Sequence, residues 1–247
     1  MLNETIARQG DWLFRWRSYV ILAFFPFLAL IMRTPEAVET AFGHQADLAY
    51  EAACMLLAFF GLSIRAYTVG YTPKGTSGRN TKAQIAESLN TTGIYSIVRN
   101  PLYLGNAIVY MAFVLFTESL TAVLAMALFL VVYLERIVAA EERFLAQKFG
   151  AEYLAWTRRV PAFIPRFVLW QPPTVPFSLR NVLKREYSGF FGIIAAFLLF
   201  HYAREIISEG DTAVHLGWLA LLLGGAAIYV ALRSLKRHTK LLNVEGR

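Results

Sequence analysis

Thiols are nearly missing from this chain, and so is ordinary surface charge. One cysteine, Cys54, cannot close an intrachain disulfide or build a cysteine-based metal site, and within its apolar run it reads as a small packed hydrophobe. Asp, Glu, Lys and Arg make up only 17% of the 247 residues while apolar types reach 57%, which excludes an ordinary soluble domain. Repeats at solenoid or transporter periods are missing, as are low-complexity tracts. The N-terminus lacks the short apolar core and small-residue cleavage site of a signal peptide. Met1 to Gly10 is polar and leads into a longer apolar stretch, expected to stay as a first span. The four histidines, His44, His201, His215 and His238, are scattered, read as incidental, and imply no metal site.

What is present is a series of six apolar runs: Tyr19 to Met32, Leu48 to Ile64, Leu102 to Phe116, Leu120 to Leu134, Gly189 to Tyr202 and Val214 to Leu232. Several fall short of the ~20 residues that cross a bilayer core, so their flanks must help. Trp12, Phe14 and Trp16 precede the first run as interfacial aromatics, and the fourth continues past Leu134 if Glu135 and Arg136 face protein or water. The expected fold is all-α, a polytopic membrane protein with about six transmembrane helices.

The net charge is +7, from 24 basic against 17 acidic residues, and its distribution alternates. Arg8, Arg15 and Arg17 precede the first run; Glu36, Glu39, Asp47 and Glu51, against Arg33, follow it. Arg65, Lys74, Arg79, Lys82 and Arg99 then face only Glu87, and Thr117-Glu118-Ser119 has no base. The long segment from Glu135 to Glu186 is basic, the connection near Glu205, Glu209 and Asp211 acidic, and the tail basic again. The positive-inside rule puts both termini, the second loop and the long segment in the cytosol, with the chain in the cytoplasmic membrane if bacterial. The basic excess is then mainly topological, and the expected partners are the bilayer and a membrane lipid, with no nucleic acid.

Two regions are too polar to be connectors alone, Arg65 to Asn100 and Glu135 to Trp170, and the hairpin Leu102 to Leu134 brings them to one spot. At its mouth, Gly93 breaks the chain, Asn100 suits an N-cap and Pro101 the first helical position. This describes a well-capped helix; equally, Arg99 beside a helix N-terminus suits an anionic group. Glu135, Arg136, Glu141 and Glu142 follow the fourth run. They read either as salt bridging at a helix end or as functional groups kept at membrane depth, with Arg136 and Glu141 facing roughly one side.

The ordered set Gly93-Ile94-Tyr95, Arg99-Asn100-Pro101-Leu102-Tyr103-Leu104-Gly105, Arg136 with Glu141-Glu142, Phe149-Gly150, Tyr153, and Arg159-Val160-Pro161 with Ile164-Pro165 resembles the isoprenylcysteine carboxyl methyltransferase and phospholipid methyltransferase superfamily. It covers about Leu89 to Pro165. The resemblance implies an S-adenosylmethionine-dependent methyltransferase whose cytosol-facing pocket holds the cofactor through Tyr95, Arg99, Asn100, Tyr103, Gly105 and Glu142, with Arg136 and Glu141 closest to the reacting groups. The family's first motif has His where this chain has Asn100, an amide that can still donate and accept hydrogen bonds.

Transfer from a sulfonium to an oxyanion needs positioning more than a base, and Arg is a natural clamp. The loop Tyr71 to Lys82 places Lys74, Arg79 and Lys82 among glycines and hydroxyls, which reads either as a solvated cytosolic loop or as a phosphate cradle for the substrate. Together with Asn90 to Tyr95, it resembles the bacterial lipid A phosphate methyltransferase branch. The organisation expected is an N-terminal pair with its basic loop (1–88), a catalytic region (89–166) and an extra C-terminal pair (167–247). Alternative readings are a membrane reductase using a nicotinamide cofactor on a sterol-like or isoprenoid lipid, or a non-catalytic membrane protein such as a transporter or assembly partner.

Overall fold

Seven α-helices and no β-strand occupy the described residues of the computed structural model, which are 2–20, 37–73, 86–209 and 215–246. The helices are α1 (Leu2–Val20), α2 (Ala37–Phe42), α3 (His44–Gly70), α4 (Pro101–Leu115), α5 (Leu120–Thr157), α6 (Leu179–Arg204) and α7 (Leu216–His238). Their starts follow from local chemistry. Pro101 opens α4, and the hydroxyls of Ser119 and Ser178 accept from Ala122 N and Asn181 N at 3.3 Å, capping α5 and α6.

Helices α3, α5, α6 (continued to Ile207) and α7 are long and apolar enough to cross a membrane, so the chain is an integral membrane protein. Against six expected spans, these are four; α4 is an apolar helix of 15 residues, spanning only ~22 Å, and the run Tyr19 to Met32 lies almost wholly outside the described residues. As expected, the helix carrying the fourth run continues past Leu134, reaching Thr157. Leu120, Leu124, Leu128 and Val131 form one exposed apolar stripe along α5, the face a lipid-bathed helix presents.

Helix α3 packs lengthwise on α4, α1 on α5, and α6 on both α3 and α7. The α3–α4 crossing is set by missing side chains: a Cβ at Gly105 would lie 2.6 Å from Gly61 O and 2.7 Å from Arg65 Cγ. Small residues let two membrane helices touch by their backbones. Phe113, Phe116, Phe197 and Phe200 fill the core between α4 and α6, with Phe116 and Phe197 meeting edge to face at 5.1 Å.

Charge closes both ends of this bundle. At one end the Arg65 guanidinium donates to both Glu186 oxygens, at 2.9 and 3.0 Å, and to Asn106 Oδ1 at 2.8 Å, joining α3, α4 and α6. Asn181 Nδ2 adds a bond to Val69 O at 2.9 Å. At the other end Arg204 donates to Phe116 O, lies 3.4 Å from Glu118 and 3.7 Å from Glu51, and stacks over the Phe116 ring.

Candidate active site

The two polar segments do converge at the mouth of the α4–α5 hairpin. Gly93, in the left-handed region at φ 60°, turns the chain so that its N–H donates to Gln171 O at 3.0 Å. Ser96 locks the turn, donating to Gly93 O and accepting from Gln171 N. Further along, Arg99 N donates to Pro161 O at 2.9 Å, and Arg166 N donates to Ile97 O at 2.9 Å. Asn100 differs from the expected cap. It occupies the N-cap position, but its Nδ2 and its backbone N both donate to Ala162 O at 3.2 Å, so the side chain stitches the two segments together instead of capping α4.

The long helix α5 breaks where it must fold back onto this loop. Gly150 has φ 54° and ψ −125°, a conformation that side chains resist, and beyond it Tyr153, Trp156 and Val160 form a small second core with Leu89, Tyr95 and Leu169. Trp156 Nε1 donates to Tyr95 O at 3.3 Å. Burial pushes the Tyr95 hydroxyl well above the usual phenol range, so it stays a neutral group.

Under this cover, Arg99 forms an ion pair with Glu142 at 2.9 Å and donates to Thr157 O at 2.9 Å. Its Nε is buried with no hydrogen-bond partner. Glu141, the residue before Glu142, accepts from the Tyr103 hydroxyl and lies in the field of Arg17 on α1, yet its Oε2 is also buried and unpartnered. Leaving a buried donor and a buried acceptor unsatisfied costs stability, so atoms left in that state call for an explanation. The set offers a donor for a carboxylate and acceptors for an ammonium or ribose hydroxyl.

Of the residues expected to bind a cofactor, Tyr95, Arg99, Tyr103 and Glu142 come together here with Glu141, and Asn100 supports the wall. Gly105 is used at the backbone crossing with Gly61 and Arg65. Arg136 lies apart. Five positions correspond to about 140° round a helix, not one side, and its guanidinium donates to Gln9 Oε1 at 2.9 Å and Val132 O at 3.0 Å. Lys74, Arg79 and Lys82 lie outside the described residues. Sequence reasoning missed Arg17, read only as a topological charge, and the Arg65–Glu186 pair, whose members are 121 residues apart.

A sequence model of the phospholipid methyltransferase family matches residues 50–152. A cobalt-zinc-cadmium resistance protein of Cupriavidus metallidurans is 34% identical over 172 residues, covering 66% of this chain and 76% of that protein. A nickel-cobalt-cadmium resistance protein of Alcaligenes xylosoxydans xylosoxydans is 35% identical over 83 residues, 34% of this chain and 38% of that one. Methanethiol S-methyltransferase 2 of Bradyrhizobium diazoefficiens is 40% identical over 81 residues, 32% of this chain and 30% of that enzyme. No solved structure matches.

Proposed function

This chain belongs to the phospholipid methyltransferase family of membrane methyltransferases, and we propose that it moves a methyl group from S-adenosylmethionine to an anionic oxygen of a membrane lipid. The observation that carries the reading is the half-buried set of Arg99, Tyr103, Glu141 and Glu142, with Arg99 Nε and Glu141 Oε2 buried and unpartnered. Those groups fit the donor. Arg99 would take its carboxylate, Glu142 and Glu141 its ammonium and ribose hydroxyls, and the carboxylates would favour its sulfonium charge. When bound, the donor supplies a methyl group on a sulfonium, which an oxyanion attacks in line while the C–S electron pair returns to sulfur.

The residues present need not remove a proton from such an acceptor; they need to hold it. Arg136 sits at the end of the apolar part of α5, its fork bonded to two neutral acceptors and 3.9 Å from the exposed Glu135 carboxylate, which a lipid phosphate or carboxylate would displace. Lys74, Arg79 and Lys82 would add cations on the acceptor side. Six spans, with both termini and this site on the cytosolic face of a bacterial inner membrane, complete the proposal by the positive-inside rule.

A second reading follows from one relative, whose name gives methanethiol as its acceptor: a thiolate is likewise a ready nucleophile. Two relatives named for resistance to divalent metals support the lipid reading, because esterifying a phosphate removes one of the negative charges that gather cations at a membrane surface. Family membership favours methyl transfer over the reductase reading.

The test has two parts. Titration of the purified protein should reveal binding of S-adenosylmethionine and none of a reduced nicotinamide cofactor. Mass spectrometry of membrane lipids from cells with and without the protein should reveal a species heavier by one methylene. Methylation of added methanethiol with unchanged lipids would move the assignment to the thiol.

A further inference from the structure

The end of the bundle far from Arg99 holds a cluster that the methyl-transfer reading leaves unused. We propose that His201, Glu205 and His215 bind a divalent transition metal ion of the zinc, cobalt or nickel type, on the membrane face opposite the methyl-transfer site.

The three side chains each offer one ligand atom, and these atoms lie within 4.8 Å of one another. Glu205 Oε1 is 3.2 Å from His201 Nε2 and 2.8 Å from His215 Nε2. Ligands of a tetrahedral zinc ion, with bonds near 2.0 Å, stand roughly 3.3 Å apart, so small adjustments would seat an ion between them. Sequence spacing contributes one part: His201 and Glu205 are four apart, on one face where α6 (Leu179–Arg204) passes into a π-helical turn (Glu205–Glu209), a feature common at functional sites. The third ligand comes from the residue that opens α7.

Three further observations favour a ligand over a simple hydrogen-bonded cluster. His201 Nε2 and Glu205 Oε2 are buried with no hydrogen-bond partner. The His201 imidazole is held from outside by stacking on Trp218, with centroids 4.8 Å apart, and the His215 backbone N–H donates to Tyr202 OH at 3.1 Å, which fixes the start of α7. Arg204 is engaged by Glu51 and Glu118, and Glu51 Oε1 lies 3.8 Å from His201 Nδ1, on the ring edge away from Glu205. Two imidazoles and one carboxylate suit zinc, cobalt or nickel and are poor for calcium or magnesium, which take oxygen ligands. Three protein ligands leave a fourth position open to water or a small anion. His201 lies ~30 Å along α6 from Asn181, about the thickness of the hydrocarbon core, so this site does not share atoms with the first.

Full-length protein in detergent, stripped with a chelator, should take up one equivalent of zinc in competition with a chromophoric chelator, and its melting temperature should rise. Cobalt in its place should give the intense visible bands of a tetrahedral complex. Outer-shell changes at metal sites weaken affinity ~10–100-fold, so loss of a ligand in His215→Gln or Glu205→Gln should cost at least ~100-fold. His44→Gln, at an exposed His–Glu pair of the same end, should bind as the parent does. His215 is half exposed, so its variant should elute and melt like the metal-free parent. Absence of stoichiometric uptake by the parent, or parental affinity in both ligand variants, would overturn the proposal.

Discussion

At one end of α6, Glu186 binds Arg65 close to the Arg99–Glu142 pair; at the other, Arg204 is ringed by Glu51, Glu118 and the Phe116 carbonyl. Both ends bury charge, but they complete it differently. Arg204 has acceptors drawn from α3, α4's end and the turn that follows, all already in place. Arg99 and Glu141 each keep a buried polar atom without a partner. A filled arginine site serves architecture, since every group it needs comes from the chain. Buried polar atoms left without partners, at Arg99 and Glu141 here as at His201 and Glu205 beyond Arg204, are where an outside group would bind, and the proposed methyl-transfer site rests on the first pair.

The sharpest way to break the comparison is Arg204→Met. It leaves two buried carboxylates facing each other, and breaking a buried pair costs about 3–5 kcal/mol, so melting in detergent should fall steeply while donor affinity in the folded fraction is unchanged. Next is Arg136→Ala, expected to lower turnover ~100-fold with near-normal donor affinity and melting, because mispositioning an acceptor carries a penalty of that order. Arg136→Lys should also be poor, lacking the planar fork; parental turnover in the Ala variant would take Arg136 out of the mechanism. Glu142→Gln removes a charge-assisted contact worth about 1.5–3 kcal/mol, so calorimetry should find donor binding ~10–100-fold weaker with little change in melting.

Gly150→Ala tests whether the first end depends on its kink. A side chain in that backbone region costs about 1–3 kcal/mol, and the loss should appear in hydrogen exchange around Tyr153 and Trp156 before it appears elsewhere. The smallest effect belongs to Asp11→Asn, which breaks the exposed pair with Arg143 and should change stability by only ~0.2–1 kcal/mol in a urea or thermal series.

How much was legible follows the same division. The Arg99 to Tyr103 stretch and the Glu141–Glu142 pair were readable because helix starts and ordered motifs are local, and a hairpin of two apolar runs brings its ends together by geometry alone. Pro101 was placed correctly at the first position of α4. Asn100 was placed correctly at the N-cap position, but its side-chain partner was not foreseen, because Ala162 O is 62 residues away and no local rule announces it. Arg136 and Glu141 were set on one side by counting positions too loosely round the helix. The Arg204 cluster was invisible for a simpler reason: Glu51, Glu118 and Arg204 belong to three separate elements, and each alone is only a charge near an apolar run. His201 and Glu205 did carry a local signal, their four-residue spacing, but His215 lies beyond the turn and completes the group only in three dimensions.

The Arg65–Glu186 pair also has a consequence for how the protein is made. Arg65 leaves the ribosome 121 residues before Glu186, an interval of roughly 6–24 s at ordinary synthesis rates of about 5–20 residues per second. During that interval its charge has no carboxylate at the base of α3, and a long side chain so near the helix end can only snorkel toward the headgroups. Helix α3 is therefore expected to sit shallow in the bilayer until α6 arrives. Nascent chains stopped before Glu186 should accordingly give chaperones and membrane proteases a loosely held α3, and chains stopped after α6 should not.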